Sequence, residues 1–234
     1  MSRAITQSGP SHLGATNGTA TLVWLGSAPP TRSIRWIDGL LAAAAKFEDP
    51  IALAAGDAAW LDLAADRAGR AGIASAGVPT DLSLDYVGWA QVVAAVARQV
   101  RARTILADEV SRLGRDIEVG AIAELVEAPQ LTRVVALAAD GDVIHATRAN
   151  GRELQTLRVR APAVIGTRIA GKSLDDYPPP MPSGSMQRLD LVAIGLDPIV
   201  LAHRALPPRT SAPPRKTAER VAELIASFTP PRGT

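Results

Sequence analysis

The sequence predicts an α/β fold: a mostly parallel sheet with helices on both faces, an added antiparallel part and a C-terminal arm. Three observations carry this. Short apolar runs alternate with amphipathic helical periods up to about residue 128, and strands joined through helices run parallel. The runs near 21–25, 51–55 and 104–107 are apolar almost throughout, as strands covered on both faces are. Beyond residue 128 the period falls to two, and Asp140-Gly141-Asp142 separates two such stretches, a hairpin signal.

Residues 1–20 are rich in Ser, Thr and Gly without apolar periodicity and read as a flexible N-terminal extension. Thr21-Leu22-Val23-Trp24-Leu25 is the first buried strand, stopped by Gly26-Ser27-Ala28-Pro29-Pro30. A helix follows with Thr31 or Ser33 as cap and Ile34, Ile37, Leu41 and Ala44 or Ala45 on one face. Pro50 opens a strand over Ile51–Ala55, and Gly56 turns into a helix carrying Trp60, Leu61 and Ala64. A short strand is expected around Ile73–Gly77. Ser83 can cap a helix with Trp89, Val92, Val93, Val96 and Val100 on its apolar side. Thr104–Ala107 is a strand, and 115–127 a helix with Ile117, Ala121 and Leu125 aligned. Leu131–Ala139, Val143–Ala149 and Leu154–Arg160 read as strands, the last half-exposed because Leu157 and Val159 alternate with Thr156, Arg158 and Arg160, and Pro162–Thr167 is a buried one. A proline-dense loop around 175–182 precedes a strand expected at Leu189–Gly195. Past Pro207 a linker leads to a last helix striped by Val221, Leu224, Ile225 and Phe228. The domains expected are therefore 1–20, 21–206 and 207–234.

Composition excludes several functions. There are no cysteines, so this chain supplies no disulfide, thiolate nucleophile or Cys-held metal. The formal net charge is +2, and the arginines are scattered among acids, which argues against nucleic acid. No apolar run reaches the ~20 residues of a bilayer span, so membrane insertion is not expected. The opening MSRAITQSGPSHLG lacks an apolar core, so no secretory signal is expected and the cytoplasm is the expected location. His12, His145 and His203 have no metal-ligand spacing, and no Walker loop, Gly-x-Ser-x-Gly elbow or Gly-x-Gly-x-x-Gly fingerprint occurs. Neither a metal site nor a catalytic residue is expected.

In order and spacing, four stretches resemble the electron-transfer flavoprotein β subunit family over roughly residues 21–228. They are Ile51-Ala52-Leu53-Ala54-Ala55-Gly56-Asp57-Ala58, Gly151 through Val164, Tyr177 through Met186 with Leu189-Asp190-Leu191, and Gly195-Leu196-Asp197 with Pro207-Pro208-Arg209 and the final helix. The stretch GRELQTLRVRAPAV is the most specific. Divergence and composition suggest the mycofactocin-associated branch. The resemblance implies an adenine-nucleotide-hydrolase-like fold and a heterodimer with an α subunit that holds most of the FAD. It also implies an AMP in the β-subunit crevice, a dehydrogenase electron donor docking on the loop around Met181-Pro182, and a C-terminal arm reaching the α subunit.

The chain departs from that pattern at two places. Only Gly26 to Ile37 join the first strand to its helix, and the loop after the fourth strand reads Ala107-Asp108-Glu109-Val110-Ser111-Arg112-Leu113-Gly114-Arg115-Asp116-Ile117-Glu118. Ligands of open parallel sheets lie at the carboxyl ends of strands, which nominates Gly26, Ser27, Gly56, Asp57, Arg112, Gly114 and Arg115 for cofactor binding. Helix N-termini and the arginines favour phosphate there, whereas Asp116 and Glu118 oppose it. The competing reading makes the glycines plain strand-to-helix turns and the acids caps. At the level of the whole chain, the alternative to electron transfer is a degenerate adenine-nucleotide-binding fold kept as a structural or regulatory partner.

Overall fold

The computed structural model describes residues 20–27, 34–109, 115–169, 171, 174 and 186–205, with Arg115 and Asp116 described by backbone alone. In chain order the elements are β1 (Thr21–Gly26), α1 (Arg35–Ala44), β2 (Pro50–Gly56), α2 (Ala58–Arg70), β3 (Ala74–Pro79), α3 (Tyr86–Gln99), β4 (Thr104–Asp108) and α4 (Arg115–Leu125). They continue with β5 (Gln130–Asp140), β6 (Val143–Asn150), β7 (Glu153–Arg160), β8 (Ala163–Thr167), β9 (Gln187–Arg188) and α5 (Pro198–Ala202). The strands form one nine-stranded sheet in the order β7-β6-β5-β8-β4-β1-β2-β3-β9. Pairing is parallel throughout β5-β8-β4-β1-β2-β3-β9 and antiparallel from β5 to β7.

Alternation along β1 divides the core in two. Leu22 and Trp24 face a layer with Val92, Val96 and Ile122, from α3 and α4. Val23 and Leu25 face Leu40, Leu41 and Leu61, from α1 and α2. The expected α/β architecture, helices on both faces and antiparallel part are all present.

Local differences have identifiable causes. Asp85, not Ser83, caps α3, its carboxylate accepting the Gly88 N–H at 2.7 Å. Ile34 occupies the N-cap of α1 without a side-chain cap bond, and Thr31 and Ser33 lie outside the described residues. On α4, Val119, Ile122 and Ala123 point inward while Ile117 is 53% exposed. Apolar residues surround most of that helix, so periodicity alone does not choose its buried face. The strand expected at Leu189–Gly195 is instead a series of turns after the two-residue β9. Asp190 stops it: its side chain accepts the Val192 N–H at 2.8 Å, an Asx-type bond that competes with a ladder. Asp197 then caps α5 through the Ile199 N–H.

Between β8 and β6, strand β5 changes from parallel to antiparallel pairing. The change falls at a bulge where Arg133 has φ 60, a conformation unfavourable for a side-chain-bearing residue. Glu109, whose side chain is fully buried, accepts the Arg133 N–H at 2.8 Å and lies 3.4 Å from Arg168 Nε. Gly166 makes room for it, since a Cβ there would overlap the Glu109 carboxylate.

Candidate functional site

The chain leaves β1 for α1 and β2 on one side, while β4 and β8 extend the sheet on the other. The β1–β4 boundary is therefore the switch point at which such sheets bind ligands. At the carboxyl ends beside it, Gly26, Ser27, Gly56 and Asp57 come together. Gly26 and Gly56 have φ 100 and 139, values that favour glycine. A Cβ on Gly56 would stand 2.8 Å from the Ser27 carbonyl oxygen and 3.1 Å from the Trp60 ring. Trp60 Nε1 donates to the Gly26 carbonyl at 3.0 Å, and Asp57 caps α2 by accepting the Trp60 N–H at 2.8 Å.

These four residues are thus engaged with one another and with Trp60. The space a glycine opens at position 56 is taken by the chain's own backbone, and the Asp57 carboxylate serves the α2 N-terminus. Among the described residues, the groups at the carboxyl ends of β1 and β2 are thus used within the chain. Of the remaining sequence candidates, Arg112 and Gly114 lie outside the described residues, and Arg115 opens α4 without a described side chain. Met181 and Pro182 also lie outside the described residues.

Glu118 has a definite partner. Trp24 Nε1 donates to its carboxylate, tying the first turns of α4 to the centre of β1. The Trp24 ring lies 6.1 Å from that of Trp89, tilted by 38°. Glu118 thus anchors α4, in addition to placing negative charge near its N-terminus.

Beyond the switch point, α4 and the β5–β6 pair enclose a cleft of about 560 Å³. Ile117, Gly120 and Ala121 of α4 line it together with Thr132, Arg133, Arg148 and Asn150 of β5 and β6, and Glu109 and Tyr86 also contribute. Its described lining mixes apolar, amide, hydroxyl and charged side chains. Among the described residues no cluster of His, Asp or Glu could hold a metal ion, and no helix is long and apolar enough to cross a membrane.

Two buried charged sites were not singled out by the sequence reading. One is Asp108-Glu109, where β4 ends. The other is Asp38, fully buried on α1 and 3.5 Å from Arg67 Nη1 on α2. A signal for Asp38 existed: it is an acid set directly between apolar neighbours of a buried stripe, Ile37 and Gly39-Leu40-Leu41, where a carboxylate requires a partner.

A family model described as the electron transfer flavoprotein domain matches residues 39–187, well over half of the chain, from within α1 to the first residue of β9. No curated protein matches the chain.

Proposed function

The chain belongs to the electron transfer flavoprotein domain family, and from that premise we propose that it is the β subunit of a heterodimeric flavoprotein. In this reading it receives electrons from a dehydrogenase and passes them to a downstream acceptor. FAD is held mainly by the α subunit. The flavin supplies the redox chemistry when bound, and this chain supplies the base beneath it and the docking surfaces. The observation that carries the reading is the family match, together with the Gly151–Val164 stretch, which forms β7 and the start of β8.

Two features support the division of labour. At the carboxyl ends of β1 and β2, Gly26 and Gly56 pack against Trp60 and the Ser27 backbone, and Asp57 caps α2, which favours weak AMP binding or none. Val192, Ile199 and Val200 are 65%, 72% and 59% exposed, and they immediately precede the proposed partner-binding arm, 207–234. Exposed aliphatic groups so placed suit the α subunit. Met181-Pro182 is assigned to the dehydrogenase, and the cytoplasm is the proposed location.

Co-expression with an α-subunit-like partner tests the reading. A yellow heterodimer is expected, with a colourless product when the chain is made alone. Stoichiometric FAD on the single chain, seen in the flavin absorbance bands, would overturn the assignment of the cofactor to the partner. The packing of Gly26, Gly56 and Asp57 onto Trp60 and Ser27 also favours the second reading, a structural partner without redox work; a colourless homo-oligomer that ignores the α subunit would select it.

A further inference from the structure

The segment 175–185, which carries Met181, joins two described residues, Leu174 and Met186. Both ends are fixed by buried contacts, the first on α1 and α2 and the second on β3 beside α2. At the first end, Leu174 is 4% exposed and belongs to no strand, so its N–H has no ladder acceptor. Asp38 Oδ2 takes that role at 3.0 Å while lying 3.5 Å from Arg67 Nη1. Three residues earlier the Gly171 N–H donates to the Arg35 carbonyl at 3.1 Å. A Cβ on Gly171 would stand 2.5 Å from Gly39 Cα, so the two backbones meet where both residues are glycine. At the second end, Met186 fills the space left by Gly77, where a Cβ would overlap its sulfur and lie 3.2 Å from Leu61 of α2. Gln187 and Arg188 then pair with Ala76 and Gly77 of β3.

A fully buried carboxylate is costly unless paired and hydrogen-bonded, and a buried ion pair adds little stability over apolar residues of similar volume. What such a pair does supply is a fixed position. We propose that Asp38, held by Arg67, is a positioning residue that clamps Leu174, the last described residue before the sequence that carries Met181. The docking role of that segment rests on the function proposed above; the clamp itself does not.

Two double variants of the full-length chain, paired with its α partner, separate the effects. Asp38→Asn/Arg67→Met removes both charges together and keeps an acceptor for the Leu174 N–H. Asp38→Leu/Arg67→Met removes the acceptor as well. Amide hydrogen exchange at Leu174 should rise roughly tenfold or more in the Leu/Met variant relative to the Asn/Met variant, with Leu53 in β2 as the internal standard. The KM for the dehydrogenase should rise about three- to tenfold in the Leu/Met variant. Its kcat and its flavin reduction by dithionite should stay unchanged, and the Asn/Met variant should restore the KM.

Equal Leu174 exchange in the two variants overturns the clamp, whatever happens to docking. Faster exchange with an unchanged KM, while Met181→Ala raises the KM, overturns the positioning role but keeps the docking reading. If exchange rises and neither Leu/Met nor Met181→Ala changes the KM, the clamp stands and the docking reading falls.

Discussion

All six residues of β1 and all five of β4 are buried, whereas none of the eight residues of β7 is. The centre of the sheet is sandwiched between two helical layers, so its strands read as apolar runs and draw their stability from packing on both faces. On β7 the exposure alternates, and only Gln155, Leu157 and Val159 are partly covered. That strand is held by eight in-register pairs with β6, from Val143↔Arg160 to Asn150↔Glu153. The same sheet thus has a core that register follows and an extension in which register leads.

The largest effect expected from breaking this contrast is at the centre. Leu106→Ala empties a fully buried position on β4 and should cost about 2–5 kcal/mol of unfolding free energy, measured by urea denaturation. Gly56→Ala should follow. The added Cβ meets the Ser27 carbonyl oxygen at 2.8 Å with φ at 139, a strain of about 1–3 kcal/mol, and the same titration should show a lower midpoint with an unchanged slope. Asp57→Ala removes the cap of α2 and should cost about 0.5–2 kcal/mol. Leu154→Ala, at a β7 side chain 70% exposed, should stay within about 0.5 kcal/mol of the parent. A loss at Leu154 comparable with that at Leu106 would mean that the extension is not independent of packing, and the comparison would fail.

The centre was the legible part. Runs such as Leu22–Leu25 and Ile51–Ala55 admit few other structures between turns, and Trp89, Val92, Val93, Val96 and Val100 lie on the buried side of α3 as their spacing requires. The misreadings fall where a polar group competes locally. Asp85 lies two residues past Ser83 and is the better placed cap, and Asp190 turns an apolar run that otherwise resembles a strand. The insertion of β8 between β4 and β5 was not legible, because it is fixed by contacts distant in sequence, Glu109 with Arg133 among them. Of the proposed cofactor residues, Gly26, Ser27, Gly56 and Asp57 do meet at the strand ends. Sequence could not show that their meeting is satisfied by Trp60 and by the Ser27 backbone, since an indole ten residues after the start of the strand preceding its helix gives no hint of whose carbonyl it will reach.

The outer edge of β7 has no strand beside it among the described residues. Every second residue of such an edge turns its N–H and C=O away from β6, and a row of those groups is a template on which a second copy could add itself, and from there a third. Here the row is guarded: Glu153, Arg158 and Arg160 stand exposed along it, so two such edges brought together bury charges with each approach. Neutralising those three positions would leave the folded chain almost unchanged and alter its behaviour in company, turning a terminal strand into a growing end.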